Sequence, residues 1–116
     1  MNRYKLSLAG IKANDGIKRF NGDSSIYESY LMGFLEDGNY KRLLGAMEQE
    51  RGEEAFQAAH ALKGVSGNLS MSGMQGILIP MVEELRVGNM EGAKKYMPQL
   101  QEQYDLVIDI LTEMKK

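Results

Sequence analysis

Residues Ala55 to Leu69 read AFQAAHALKGVSGNL and contain the only histidine in a chain of 116 residues. At about 100° per residue on an α-helix, Ala55, Ala58, Ala59, Leu62, Val65, Ser66 and Leu69 fall on one side. His60, Gly64 and Gly67 fall opposite, flanked by Gln57, Lys63 and Phe56. The spacing predicts a helix with a small, apolar inner side and an outward histidine. A glycine inside a helix costs up to about 1 kcal/mol relative to alanine, so two glycines beside this histidine are a cost that stability does not explain. They clear side chains from around the imidazole and leave room for a partner surface above it.

Helical spacing continues on both sides of this stretch. Residues 1–13 have little periodicity and are expected to be mostly irregular, packed through Leu6, Leu8 and Ile11. Asn14 is placed to cap a short helix to about Asn21. Asp23 is placed to cap a longer one, on which Ile26, Tyr27, Tyr30, Leu31 and Phe34 recur until Asp37-Gly38. Asn39 starts another short helix, with a break at Gly38, because Tyr40, Leu43, Leu44 and Met47 would point to a different side of an uninterrupted one. Downstream, Ser72-Gly73-Met74-Gln75 fits a Ser-x-x-Gln capping box opening a helix to Arg86 or Val87. Met74, Ile77, Leu78, Met81 and Leu85 form its inner stripe, Pro80 should kink it, and Gly88 should stop it. Asn89 caps a final long helix, bent or restarted at Pro98, with Tyr96, Leu100, Tyr104, Val107, Ile108 and Leu111 inside. No strand pattern competes. Short connections favour antiparallel neighbours, so the expected fold is all-α: an antiparallel up-down-up-down four-helix bundle with a short N-terminal helix packed on it, formed by residues 1–116 as a single domain.

Composition narrows the function classes. With 43% hydrophobic and 26% charged residues and no cysteine, the chain can bury roughly two-thirds of its unfolded surface without disulfides or a structural metal. No run of about 18 apolar residues occurs and the N-terminus lacks a signal-peptide pattern, so a cytoplasmic, non-membrane protein is expected. The net charge of -2 is uneven, basic over residues 1–20 and acidic over 21–60, but the basic residues do not form the dense stripe with aromatics that nucleic-acid binding requires. One histidine and no cysteine would leave a zinc ion only carboxylates as further ligands, and no metal site is expected. KGVSGN superficially looks like a phosphate loop, yet no Gly-Lys-Ser/Thr follows and no strand precedes it. Glu53-Glu54 and Glu83-Glu84 read as solvated helix faces, and the nine methionines as a pliable core.

A neutral imidazole is a good nucleophile near neutral pH, its unperturbed pKa being about 6.5. Lys63, one turn along, would attract an arriving anionic electrophile and stabilise the product, and Gln57, one turn back, can donate a hydrogen bond to it. The run His60-Ala61-Leu62-Lys63-Gly64, followed by Gly67 and Asn68-Leu69, closely resembles the signature of histidine-containing phosphotransfer (HPt) domains. Leu8-Ala9-Gly10-Ile11, Gly16 to Asp23 and Phe34-Leu35-Glu36-Asp37 extend the resemblance from about Leu8 to the C-terminus. One position departs: many members carry glycine directly after the Asn-Leu pair, where this chain has Ser70.

The resemblance implies that His60 is a phosphoacceptor in a His-Asp phosphorelay, taking its phosphoryl group from the aspartyl phosphate of a response-regulator receiver domain and passing it on. It implies Mg²⁺ on that receiver and no cofactor on this chain, with a sensor or hybrid histidine kinase as a further partner. Phe56, Gly64, Gly67 and Asn68 would form the docking surface. No nucleotide motif is present, so no ATP-dependent kinase activity is expected; the chain would be a phosphocarrier, not an autonomous enzyme. A monomeric, free-standing protein is expected. A helical module that binds a receiver or kinase without accepting phosphate is the alternative, and a fragment of a larger hybrid kinase is a third reading.

Overall fold

The computed structural model describes residues 1–116, which form helices joined by short turns and no strand. In chain order these are α1 (Arg3–Leu8), α2 (Ala13–Arg19), α3 (Ser24–Gly33), a 3₁₀ turn over Phe34–Glu36, α4 (Asn39–Glu48), α5 (Gly52–Asn68), α6 (Ser72–Arg86), α7 (Met90–Lys94) and α8 (Met97–Lys115). The histidine helix α5 packs most extensively on α4 and α6. In turn α6 rests on α7 and α8, and α1 and α3 reach α8 from the other end of the chain. One continuous core joins them, built on Leu6, Tyr27, Leu31 and Phe34 from the first third, Leu43 and Leu62 from α4 and α5, and Met74, Leu78, Met81, Leu100, Val107 and Leu111 from the rest.

Several local expectations hold. Asp23 caps α3, its carboxylate accepting the Ile26 N–H at 3.0 Å, and Asn89 caps α7 by accepting the Gly92 N–H at 3.0 Å. The break before Asn39 is present, and the final helical segment restarts beside Pro98.

Others are overturned by contacts remote in sequence. Residues 1–13 are not mostly irregular: Asn2 caps α1 by accepting the Lys5 N–H at 3.0 Å. Only Leu6 of that helix is buried, so it carries no apolar stripe to reveal it. Ile11 joins Leu6 in the core while Leu8 faces solvent. Asn14 does not cap α2 but lies inside it and accepts a hydrogen bond from the Arg3 guanidinium at 2.9 Å. Ser72 and Gln75 do not form a capping box. The Ser72 hydroxyl donates to the Gly10 carbonyl at 3.2 Å, and the Gln75 amide turns onto α5. On α3, Tyr27 and Leu31 are buried whereas Ile26 and Tyr30 are exposed.

The turns share one device. Gly10, Asn21, Glu50, Ser70 and Gly88 take a left-handed φ between 55° and 74°. In each case the next N–H reaches back across the end of the helix, as in Ile11 to Leu6, Gly22 to Ile17, Arg51 to Ala46, Met71 to Ser66 and Asn89 to Glu84, which is the Schellman ending. At Ser70 the conformation costs a non-glycine residue roughly 1–2 kcal/mol. A side-chain bond that glycine could not make offsets this: the Ser70 hydroxyl donates to the Asp15 carboxylate at 2.7 Å.

The Ser70 hydroxyl, and next the Arg19 side chain, hold the Asp15 carboxyl below its ordinary value of 3.8. The folded pKa being depressed, the stabilisation is present above that value and is lost as the pH falls through the lower, folded one. Ser70→Ala should therefore melt below the wild type at pH 6, with the gap narrowing by pH 3. Ser70→Gly should exceed Ser70→Ala at both pH values by about 1 kcal/mol. Thermal unfolding of the three proteins across this range is the check.

Candidate functional site

The buried residues of α5 are Ala55, Ala58, Ala59, Leu62 and Ser66. This inner side consists largely of alanines, so α5 can lie close to its neighbours without large side chains intervening. Val65 is only half-buried and, with Leu69 and Asn68, lines a groove of about 890 Å³ whose other side is Phe20, Tyr30 and Phe34, with Arg19 and Asp37 also on its lining.

His60 is exposed on the outer side of α5 and makes no side-chain hydrogen bond. Its ring lies 5.7 Å from that of Phe56, one turn back, with 34° between the planes. Over Phe56 sits the Arg86 guanidinium of α6, 5.1 Å from the ring centroid. Across the helix, the Gln57 side-chain oxygen accepts a hydrogen bond from Arg42 of α4 at 3.1 Å, leaving the amide N–H groups of Gln57 for another acceptor. Lys63 is half-buried and no carboxylate pairs with it. An accessible imidazole with a cation one turn away and no fixed anion beside it can receive an electrophilic, negatively charged group.

The two outward glycines separate into different roles. A Cβ at Gly64 would meet nothing within 4 Å, whereas one at Gly67 would lie 3.0 Å from the Gln75 side-chain nitrogen. That amide donates to the Lys63 carbonyl and, at 3.1 Å, to the Ser66 hydroxyl. Gly64 leaves open space beside His60, as its phase predicts. Gly67 instead admits the Gln75 side chain of α6 from the same molecule.

The structure therefore brings Phe56, Gln57, His60, Lys63 and Gly64 onto one accessible face and sets Asn68 at the adjoining groove. It adds Arg42, Gln75 and Arg86, which sequence reasoning missed. Each is a single polar residue on a helix surface, and only packing brings it to α5, so the local pattern held no signal for it.

Gly64→Ala should preserve or raise stability by up to about 1 kcal/mol, the helix-propensity gain. Gly67→Ala should be less stable than Gly64→Ala by about 1 kcal/mol, because it displaces the Gln75 hydrogen bonds. In a Gln75→Ala background that difference should vanish, as read by urea unfolding of all five variants.

No curated protein and no solved structure matches this sequence. The family model for the Hpt domain matches residues 37–110, which include the whole of α4, α5, α6 and α7 and most of α8; the first 36 residues lie outside the match. The matched region includes His60 together with Arg42, Gln75 and Arg86 from the neighbouring helices. Since it spans well over half of the sequence, the chain belongs to the Hpt domain family, whose role is phosphotransfer in two-component phosphorelays.

Proposed function

We propose that this chain is a phosphotransfer intermediate that accepts a phosphoryl group on His60 from a receiver-domain aspartyl phosphate and passes it to a second receiver. The observation that carries this reading is the combination of family membership with one accessible histidine beside the open position at Gly64. In the transfer, a ring nitrogen of neutral His60 attacks phosphorus in line. A P–N bond forms as the P–O bond to the aspartate breaks, and the aspartate leaves as carboxylate. The receiver supplies Mg²⁺ and most of the catalytic apparatus, while this chain supplies the nucleophile, the Lys63 charge and a shaped surface that orients the two. The reverse reaction uses the same geometry, so the direction of flow is set by the partners.

We also read the architecture as an antiparallel four-helix bundle of α4, α5, α6 and α8, with the N-terminal helices packed on it. In support, Gln75 meets Lys63 close to the connecting turn and Arg86 meets Phe56 far from it, as two helices running in opposite directions would. No helix is long and apolar enough to cross a membrane. The protein acts on this reading as a cytoplasmic monomer, fed by a sensor or hybrid histidine kinase through a receiver, with no ATP-dependent activity of its own. Phe56, Gly64 and Asn68 belong to the docking surface, and Gln57 directs an N–H toward the phosphoryl group.

Incubation with a phosphorylated receiver should label the protein with an acid-labile, alkali-stable phosphoryl group, and His60→Gln should abolish it. Label persisting in that variant would overturn His60 as the acceptor, and no label in the wild type with any phosphodonor-charged receiver would favour the pure interaction module. Lys63→Ala should slow transfer roughly ten-fold, about the effect of one interaction near 1.4 kcal/mol, with the melting temperature unchanged. Lys63→Arg should retain more activity than alanine, because the charge persists. A rapid-quench time course of label on the three proteins checks this.

A further inference from the structure

We propose that Arg86 is a positioning residue for the His60 imidazole, acting through the ring of Phe56. The inference rests on the phosphotransfer reading above. Side chains on a helix lean toward its N-terminus and over the residue one turn back, so the imidazole of His60 lies toward Phe56, four residues before it. The ring separation of 5.7 Å is within the range of aromatic contact. Phe56 packs against the core on one side only and is half-buried. Its outer support is the Arg86 guanidinium, 5.1 Å from the ring centroid, a cation–π distance. Arg86 is fixed in turn: its Nε donates to the Glu83 carboxylate at 3.1 Å, one turn earlier on α6. The result is a series from Glu83 through Arg86 and Phe56 to His60 that fastens a residue of α6 to the reacting ring on α5.

This arrangement matters because the imidazole has no hydrogen-bond partner of its own to select an orientation, and in-line attack requires its nitrogen to point at the phosphorus. A planar guanidinium suits the task better than an ammonium, since it can lie flat on the phenyl ring. A solvent-exposed contact of this kind supports a preference of about two- to five-fold between ring orientations. The predicted effect is a rate change of that order, with no change in receiver affinity.

The test uses the full chain and follows two quantities: the NMR signals of the His60 ring protons, which the Phe56 ring current displaces, and the transfer rate from a saturating charged receiver. Arg86→Ala should move the His60 signals toward their position in Phe56→Leu and slow transfer two- to five-fold at unchanged receiver affinity. Arg86→Lys should restore part of both effects. In a Phe56→Leu background, Arg86→Ala should do nothing further to either quantity, and Phe56→Met serves as the background if the leucine variant melts early. An equal loss of rate in that background would mean that Arg86 touches the phosphoryl group or the receiver directly, and would overturn the proposal. Unmoved signals with an unchanged rate would reduce the contact to surface packing and also overturn it. Should the wild type take no label, the phosphotransfer reading fails by itself, and the ring-proton shifts then decide alone whether Arg86 orients the imidazole.

Discussion

The end of α5 at Ser70 is the constraint on which the rest of this molecule depends. Four separate interactions converge there. Met71 reaches back to the Ser66 carbonyl at 2.8 Å, Lys12 donates its N–H to the Ser70 carbonyl at 2.9 Å, the buried Tyr27 hydroxyl donates to the Leu69 carbonyl at 2.8 Å, and the Ser70 hydroxyl meets Asp15. The carbonyls at a helix terminus have no partner within the helix. Here Lys12, just before α2, and Tyr27 of α3 provide them, and in doing so the N-terminal third is attached to the histidine helix. Tyr27 reaches this position only because Gly16 has no Cβ to obstruct its ring. Burial, with the nearby Asp15 charge adding to it, raises the Tyr27 phenol to about 12, so this hydroxyl stays a donor at any pH the protein meets.

From that turn, α6 is held against α5 by polar contacts at one end and by an aromatic–cation contact at the other. Gln75 occupies the space that Gly67 leaves and satisfies the Lys63 carbonyl; Arg86 covers Phe56. The buried residues of α5 are mostly alanines, and those of α6 include Met74, Leu78, Met81 and Leu85. Small residues opposite large flexible ones let two helices approach without voids. The outward side of α5 therefore needs no bulky residues for stability. That freedom is what permits an accessible imidazole, an open position at Gly64 and an unpaired lysine to stand together.

The electrostatics of this face follow from the same packing. Several of the chain's cations are committed elsewhere, Lys94 to Glu50 and Glu91, Lys5 to Glu113 and Arg19 to Asp15. Near His60, Lys63 has no carboxylate partner and Arg42 is engaged only by the neutral Gln57, whereas the Arg86 charge is paired with Glu83. A face with positive charge not fully neutralised by its own molecule favours an incoming anionic group, a long-range bias that salt weakens.

Much of this was legible in the sequence, and the reason is local. The outward phase of His60, the small inner side of α5, the open position at Gly64, the caps at Asp23 and Asn89 and the breaks at Gly38 and Pro98 depend on helical periodicity and neighbouring residues only. The HPt resemblance drew on the same local run. Only the tertiary structure decided the rest. A capping box at Ser72 and a cap at Asn14 are sound local chemistry, but acceptors and donors from other helices, the Gly10 carbonyl and the Arg3 guanidinium, displaced both. Helix α1 has a single buried residue and so no stripe to read. The difference between Gly64 and Gly67 was equally hidden, since both share the outward phase and only the position of Gln75 on α6 separates open space from an occupied one. Periodicity states which way a residue points on its own helix; what stands opposite it is set by where the other helices lie.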